Sequence, residues 1–143
     1  MALKYGNLAE ATPQAVAELN SLVAQMSRKP REMDLAYLKR VLEAPGTLIV
    51  VWDEGRIVGC AQVSIVVLIS KLKGWIDEVV VDESYRGQGV AKRLMEMAIE
   101  YARRAGCRHV NMSSGSDRSS VHSIYEHMGF YQRDSTQFRL DFE

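Results

Sequence analysis

The stretch "VVVDESYRGQGVAKRL", Val79 to Leu94, constrains this chain more than any other. Its three β-branched residues favour an extended strand. A polar turn follows, with Arg86, Gly87, Gln88 and Gly89, and beyond Gly89 the apolar residues recur at helical spacing. Ala91, Leu94, Met95, Ala98 and Ala102 form the inward stripe of that helix, and Lys92, Arg93, Glu96, Glu100, Arg103 and Arg104 its outer arc. Gly106 stops it. A strand that hands over to a helix through two glycines and a cation is the junction the rest of the fold must accommodate.

The rest of the chain supplies partners for this unit. Thr12-Pro13 places an N-cap before a proline at the first helical position, and Val16, Leu19, Leu22, Val23 and Met26 follow at helical spacing. After "RKPRE" a second helix turns Leu35, Leu38, Val41 and Leu42 inward, until Pro45-Gly46 ends it. "TLIVVW" reads as a strand, Asp53-Glu54-Gly55 as a hairpin turn, and the next strand as an alternation. Ile57, Gly59, Ala61, Val63, Ile65, Val67 and Ile69 fall on one face, with Gln62, Ser64 and Ser70 on the other. "WIDEVVVD" and "CRHVNMS" are further strands, and "RSSVHSIYEHMG" is a short helix capped by Gly129. Two short strands are predicted around "FYQRD" and "TQFRLDF". The expected order is strand, two helices, three strands, helix, strand, helix, two strands. Tight turns imply antiparallel pairing and a helical crossover implies a parallel one. The expected fold is therefore mixed α/β, one domain over residues 1–143, with helices on both faces of a mostly antiparallel sheet.

The glycine turn has a chemistry. A helix N-terminus leaves backbone N–H groups unpaired and carries partial positive charge. Glycines let an anion approach that backbone, and Arg86 and Lys92 add full charges beside it. These are the parts of a pyrophosphate site. An ordinary strand–helix turn with a surface arginine would look the same in isolation. Two nucleotide motifs fail: no Gly-Lys-Ser/Thr tripeptide exists for a phosphate loop, and Lys92 stands where a dinucleotide fingerprint wants its third glycine.

Composition narrows the partners. Lysine plus arginine equals aspartate plus glutamate, 18 against 18, so no global field calls for nucleic acid or an anionic membrane. The longest apolar run, "VSIVVLIS", is too short to span a bilayer as a helix, and the start shows no cationic segment leading into an apolar one. Cys60 and Cys107 lack metal-ligand spacing, so no metal is expected, and a reducing cytoplasm is the expected location.

Arg86-x-x-Gly89-x-Ala91 after "IDEVVV" resembles the acetyl-CoA motif of the GNAT superfamily of N-acetyltransferases, whose usual form is Gln/Arg-x-x-Gly-x-Gly/Ala. "SSGSDRSSVHSIYEHMGF" is similar to the family's late segment, where Tyr-x-x-x-Gly-Phe ends a short helix, here Tyr125 to Phe130. The likeness is tightest over 76–130. It implies acetyl-CoA as cosubstrate and a primary amine acceptor, a small molecule as the first choice (drug-like amines, polyamines and amino sugars all open), with protein N-termini or lysines as the alternative. A noncatalytic acyl-CoA-binding module is the competing reading, and a homodimer stays open.

The resemblance also assigns roles. The backbone of Val79, Val80 and Val81 would pair with the pantetheine arm, one N–H facing the thioester oxygen. Arg86, Gly87, Gln88, Gly89, Val90, Ala91 and Lys92 would hold the diphosphate. Tyr125 matches the tyrosine that protonates the leaving thiolate. Asp77 and Glu78 stand where many small-amine members carry an adjacent acidic pair in the reverse order. Asp77 matches the residue assigned as base in several of them and is the first choice, Glu78 the second. Side chains alternate across a strand, so only one can face the cleft unless a bulge intervenes. The sequence departs from some members at Asn111, Ser113 and Arg118, while "R-x-x-x-H-x-x-Y" is similar to a subset and adds Arg118 to the coenzyme residues. His122 is expected to cap or pack, and Cys107, with no adjacent base, to be structural.

Overall fold

A computed structural model of the chain describes residues 2–26, 31–113 and 119–142, with only the backbone over 119–122. Two compact units result, Met1–Met112 and Ser113–Glu143.

The first unit runs β1 (Leu3–Asn7), α1 (Pro13–Val23), α2 (Leu35–Glu43), β2 (Gly46–Asp53), β3 (Arg56–Val67), β4 (Leu72–Val81), a single 3-10 turn at Glu83–Tyr85, α3 (Val90–Arg104) and β5 (Val110–Met112). Both early helices start as their sequence dictates. The Thr12 hydroxyl accepts from the Ala15 N–H at 3.1 Å, with Pro13 in the first turn. The Asp34 carboxylate accepts from the Tyr37 N–H at 2.8 Å. Each bond satisfies a donor the helix cannot reach.

The sheet order is β1-β2-β3-β4-β5. The first three pairings are antiparallel, and β4 with β5 is parallel because α3 carries the chain back between them. The β2–β3 turn has Glu54 at φ 50 and Gly55 at φ 81, the paired positive values of a type I′ turn. Helices cover both faces. Cys60 packs with Leu19, Leu22 and Leu38 of α1 and α2. Its neighbour Gly59 faces the other way, where an added Cβ would lie 3.4 Å from Leu94 of α3. The buried side chains among the described residues are all apolar, with no polar or charged one.

The clean alternation expected of β3 does not hold. Pairing with β2 slips between Val51 and Trp52, where Val58 is the extra residue, and this shifts the phase of the β3 pleat; the slip between Cys60 and Gln62 puts its extra residue on β4 instead. Ile57 thus joins Cys60 on the α1–α2 side, not Gly59. Val58 and Cys60 are as buried as their neighbours, because a sheet covered on both faces has no polar side. The strand ends at Val67, and Ile69 is exposed in the turn beyond. On α3, Ala91 is exposed and Val90 takes the buried place at the start of the stripe.

The second unit contains α4 (Ser119–His127). The two closing strands predicted there are absent: the described residues 130–142 form no strand. Phe138, Leu140 and Phe142 have the period-two pattern of a strand, but a strand exists only as a ladder with a partner, and none is paired here.

Gly46 opens β2 at φ +132, and a Cβ there would lie 2.0 Å from the Val63 carbonyl oxygen. Gly55 is also left-handed, at φ +81, but its Cβ would meet nothing within 4 Å. Gly46→Ala should therefore lower the unfolding free energy by about 3 kcal/mol, against about 1 kcal/mol for Gly55→Ala, in urea melts. Equal losses would contradict the close approach.

Candidate active site

The turn after β4 is held by its own side chains. Asp82 accepts from the Ser84 N–H at 2.9 Å, and the Gln25 amide oxygen accepts from the Glu83 N–H at 3.0 Å. The Ser84 bond, helped by Gln25 and Arg56, holds the Asp82 carboxyl below the usual carboxylate range. Arg86 Nε donates to the Val81 carbonyl at 3.0 Å, and Nη2 reaches Gln25 at 3.4 Å. Arg86 thus ties the turn to the end of β4 and to the residues after α1.

Gly87 and Gly89 follow at φ +77 and +80, and a Cβ at either would meet no atom within 4 Å. The space beside the turn is open, so it is the left-handed backbone and not crowding that calls for glycine. Gly89 is the N-cap of α3 and supplies no side-chain capping bond. The first N–H groups of α3, Val90 to Lys92, accordingly have no partner in their own helix. No acidic residue stands in that first turn. Lys92 is exposed beside it. A diphosphate fits these donors.

The edge of β4 is open next to this turn. β5 pairs only with Gly74–Ile76, so from Asp77 onward β4 has no strand partner on that side among the described residues. The Val80 and Val81 side chains are buried in the core while their backbone lies along this edge. Core packing and ligand pairing use different atoms and are compatible.

On the β3 side a bulge intervenes. Cys60 pairs with Val80 and Gln62 with Asp77, so Ala61 alone faces both Glu78 and Val79. Glu78 takes φ 53 to make the step. Directly opposed residues share a face, which puts Asp77 with Gln62, and the bulge turns Glu78 to that face as well. Their surroundings differ: Asp77 is exposed, whereas Glu78 is half-buried.

Glu78 lines a cavity of about 380 Å³ between the sheet and α1–α2. Leu48, Cys60, Gln62 and Glu78 form its floor, and side chains of α1, α2 and the segment between them form its roof. Asp77 is not in the lining. The Cys60 Sγ lies 3.4 Å from the Glu78 carbonyl oxygen. Burial, reinforced by the Glu78 charge, pushes the Cys60 thiol up to about 12. Cys107 is raised by burial alone. Neither supplies a thiolate nucleophile at neutral pH.

Tyr125 lies on α4 in the second unit. Its carbonyl accepts from the Met128 and Phe130 N–H groups, and Gly129 closes the helix at φ +101. Its ring meets Phe130 edge-on, centroids 6.4 Å apart. The Gly-Phe spacing therefore has a local cause: glycine makes the reversal, and phenylalanine folds back on the tyrosine. Arg118 and the side chain of His122 lie outside the described residues. Among the described residues, no group of three or more His, Cys, Asp or Glu is placed to hold a metal ion. No described helix is long and apolar enough to cross a membrane.

Sequence reasoning missed Arg31, Tyr37 and Gln62 in the cavity lining. Helical spacing marked the roof residues Leu19, Val23 and Met26, but only as core. Nothing local distinguishes Gln62 from any outward strand residue.

Comparison with known proteins decides the family. The Acetyltransferase (GNAT) family matches residues 14–130. The chain belongs to the GNAT acetyltransferases. A glucosamine 6-phosphate N-acetyltransferase from Trypanosoma brucei brucei is 33% identical over 139 residues, 95% of this chain and 83% of that protein. N-alpha-acetyltransferase 30 of Saccharomyces cerevisiae is 37% identical over 60 residues, 42% of this chain and 34% of that protein. The solved NatC complex bound to Gag peptide and CoA superposes with a TM-score of 0.78, at 23% identity over 94% of this chain and 87% of that one. This GNAT domain is an acyltransferase with the family's mixed sheet.

Cys60 provides a pH test of the cavity floor. A thiol raised in the fold leaves stability intact below the unfolded value of 9.0, and stability is lost as pH rises toward about 12. The stability difference between wild type and Cys60→Ala should be constant from about pH 7 to 8.5 and shrink above about 9. A constant difference up to about pH 11 would contradict the burial.

Proposed function

We propose that this GNAT protein transfers an acetyl group from acetyl-CoA to the primary amine of a small molecule held in the cavity. One observation carries the reading: an uncapped, glycine-opened helix start and an unpaired strand edge lie on the same strand–turn–helix unit as the cavity-lining carboxylate Glu78. The match to the trypanosomal enzyme, which is named for a small amino-sugar acceptor, runs over nearly the whole chain and supports a small acceptor. The match to the N-alpha-acetyltransferase covers less than half.

The residues divide the work as follows. The α3 amides and Lys92 bind diphosphate, and Arg86 keeps the turn in shape. The free edge at Val79–Val81 aligns an extended arm as a further strand would, with an N–H available to an oxyanion. Bound acetyl-CoA supplies the activated acetyl group. Glu78 takes the proton from the acceptor ammonium, because it lines the cavity and Asp77 does not. The Tyr125 hydroxyl gives a proton to the departing sulfur, a role carried by its motif. Holding both substrates in line adds several kcal/mol of the order expected for oriented reactants.

Acetyl-CoA should raise the melting temperature of the wild-type protein, as any ligand selective for the native state does. Gly89→Ala and Gly89→Glu share the left-handed strain, but only the second adds bulk and negative charge beside the diphosphate. Titration calorimetry should show Gly89→Glu losing affinity at least roughly tenfold beyond Gly89→Ala. Equal affinities in the two variants would rule out this turn as the diphosphate site.

A further inference from the structure

Resting on that acceptor site, we infer that the cavity selects a primary amine carried on an apolar body, an aryl- or alkyl-alkylamine, and disfavours polyhydroxylated amino-sugar phosphates. Its walls are aliphatic on most sides: Leu19 and Val23 from α1, Met33 before α2, Leu38 and Val41 from α2, and Leu48 from β2. Among the described residues the polar groups are few. Glu78 and Gln62 lie on the floor, and Tyr37 and Arg31 on the roof. The Arg31 guanidinium lies over the Tyr37 ring, 4.6 Å from its centroid. Among the described residues it is the single cation in the lining.

This lining suits one kind of ligand. An ammonium group finds a carboxylate at Glu78 and an amide oxygen at Gln62. Hydrocarbon finds hydrocarbon elsewhere. A sugar ring would bring several hydroxyls against Leu, Val and Met side chains that cannot hydrogen-bond, each unpaired group carrying a desolvation penalty. A phosphate dianion would enter beside the Glu78 carboxylate, and like charges repel. A volume of about 380 Å³ matches a small amine and not a folded protein segment. The trypanosomal relative is named for glucosamine 6-phosphate, so the inference separates this chain from it.

Met33 offers a clean probe. Its N–H donates to Asn20 Oδ1 at 2.9 Å and its carbonyl accepts from Asn20 Nδ2 at 3.0 Å. Both bonds are backbone bonds at position 33 and survive a side-chain exchange. Met33→Gln keeps length and clamp and makes the wall polar, and Val41→Thr does the same on α2 with almost no change of volume.

The test is kcat/KM at saturating acetyl-CoA for 4-phenylbutylamine, glucosamine 6-phosphate and a short peptide with a free amino terminus. Wild type should favour 4-phenylbutylamine at least roughly hundredfold, and either variant should lower that value about tenfold, with acetyl-CoA binding unchanged. Glucosamine 6-phosphate or the peptide performing as well or better would overturn the inference. So would an insensitive 4-phenylbutylamine rate in both variants, or no turnover of any amine while acetyl-CoA binds. Failure of acetyl-CoA to bind would instead overturn the parent reading of the coenzyme site.

Discussion

At Glu78 the backbone enters the left-handed region, φ 53, which costs an L-residue roughly 1–2 kcal/mol. The site is arranged around that one step. It slips the pairing so that Ala61 faces two residues of β4, and it turns the Glu78 side chain onto the α1–α2 face. A regular strand would have sent Asp77 and Glu78 to opposite faces. The bulge instead sets one carboxylate in the cavity lining and leaves its neighbour exposed on the same side of the sheet. Strain of this size persists only where surrounding packing fixes it. Here the buried Val80, Val81 and Cys60 hold the strand on either side.

The second constraint is the handover from β4 to α3. Asp82, Gln25 and Arg86 form a closed set of hydrogen bonds around the turn, and each bond fixes backbone. The glycines are thereby left free to expose amides. Gln25, just beyond α1, also couples the roof of the cavity to the turn before α3. A shift of α1 would be felt at both the cavity and the turn.

Much of this was legible in the sequence because it is local. The caps at Thr12 and Asp34, the Glu54-Gly55 turn and the helix opened by Gly89 each depend on a few adjacent residues. The burial stripe of α3 was readable for the same reason, apart from its first position. Features that depend on strand pairing were not readable. One slip of register, with Val58 as the extra residue, broke the expected alternation of β3 and moved Ile57 to the other face. The bulge at Glu78 has no glycine to announce it, so the order of Asp77 and Glu78 as candidate bases followed family position rather than geometry. The pattern Phe138, Leu140, Phe142 reads as a strand, but a pattern cannot state whether a partner strand is paired with it. The cavity is likewise a product of packing: Gln62 and Tyr37 line it together only when the sheet and α2 come together.

The pH dependence of kcat/KM tests most directly the proposed role of Glu78 as the group that takes the acceptor's proton. Glu78→Gln should lose activity by about 10²–10⁴-fold near neutral pH and recover partly at high pH, where the amine deprotonates unaided. Asp77→Asn should follow the wild-type profile within a few-fold. A profile in which Asp77→Asn shows the loss and the recovery, while Glu78→Gln resembles wild type, would contradict the account.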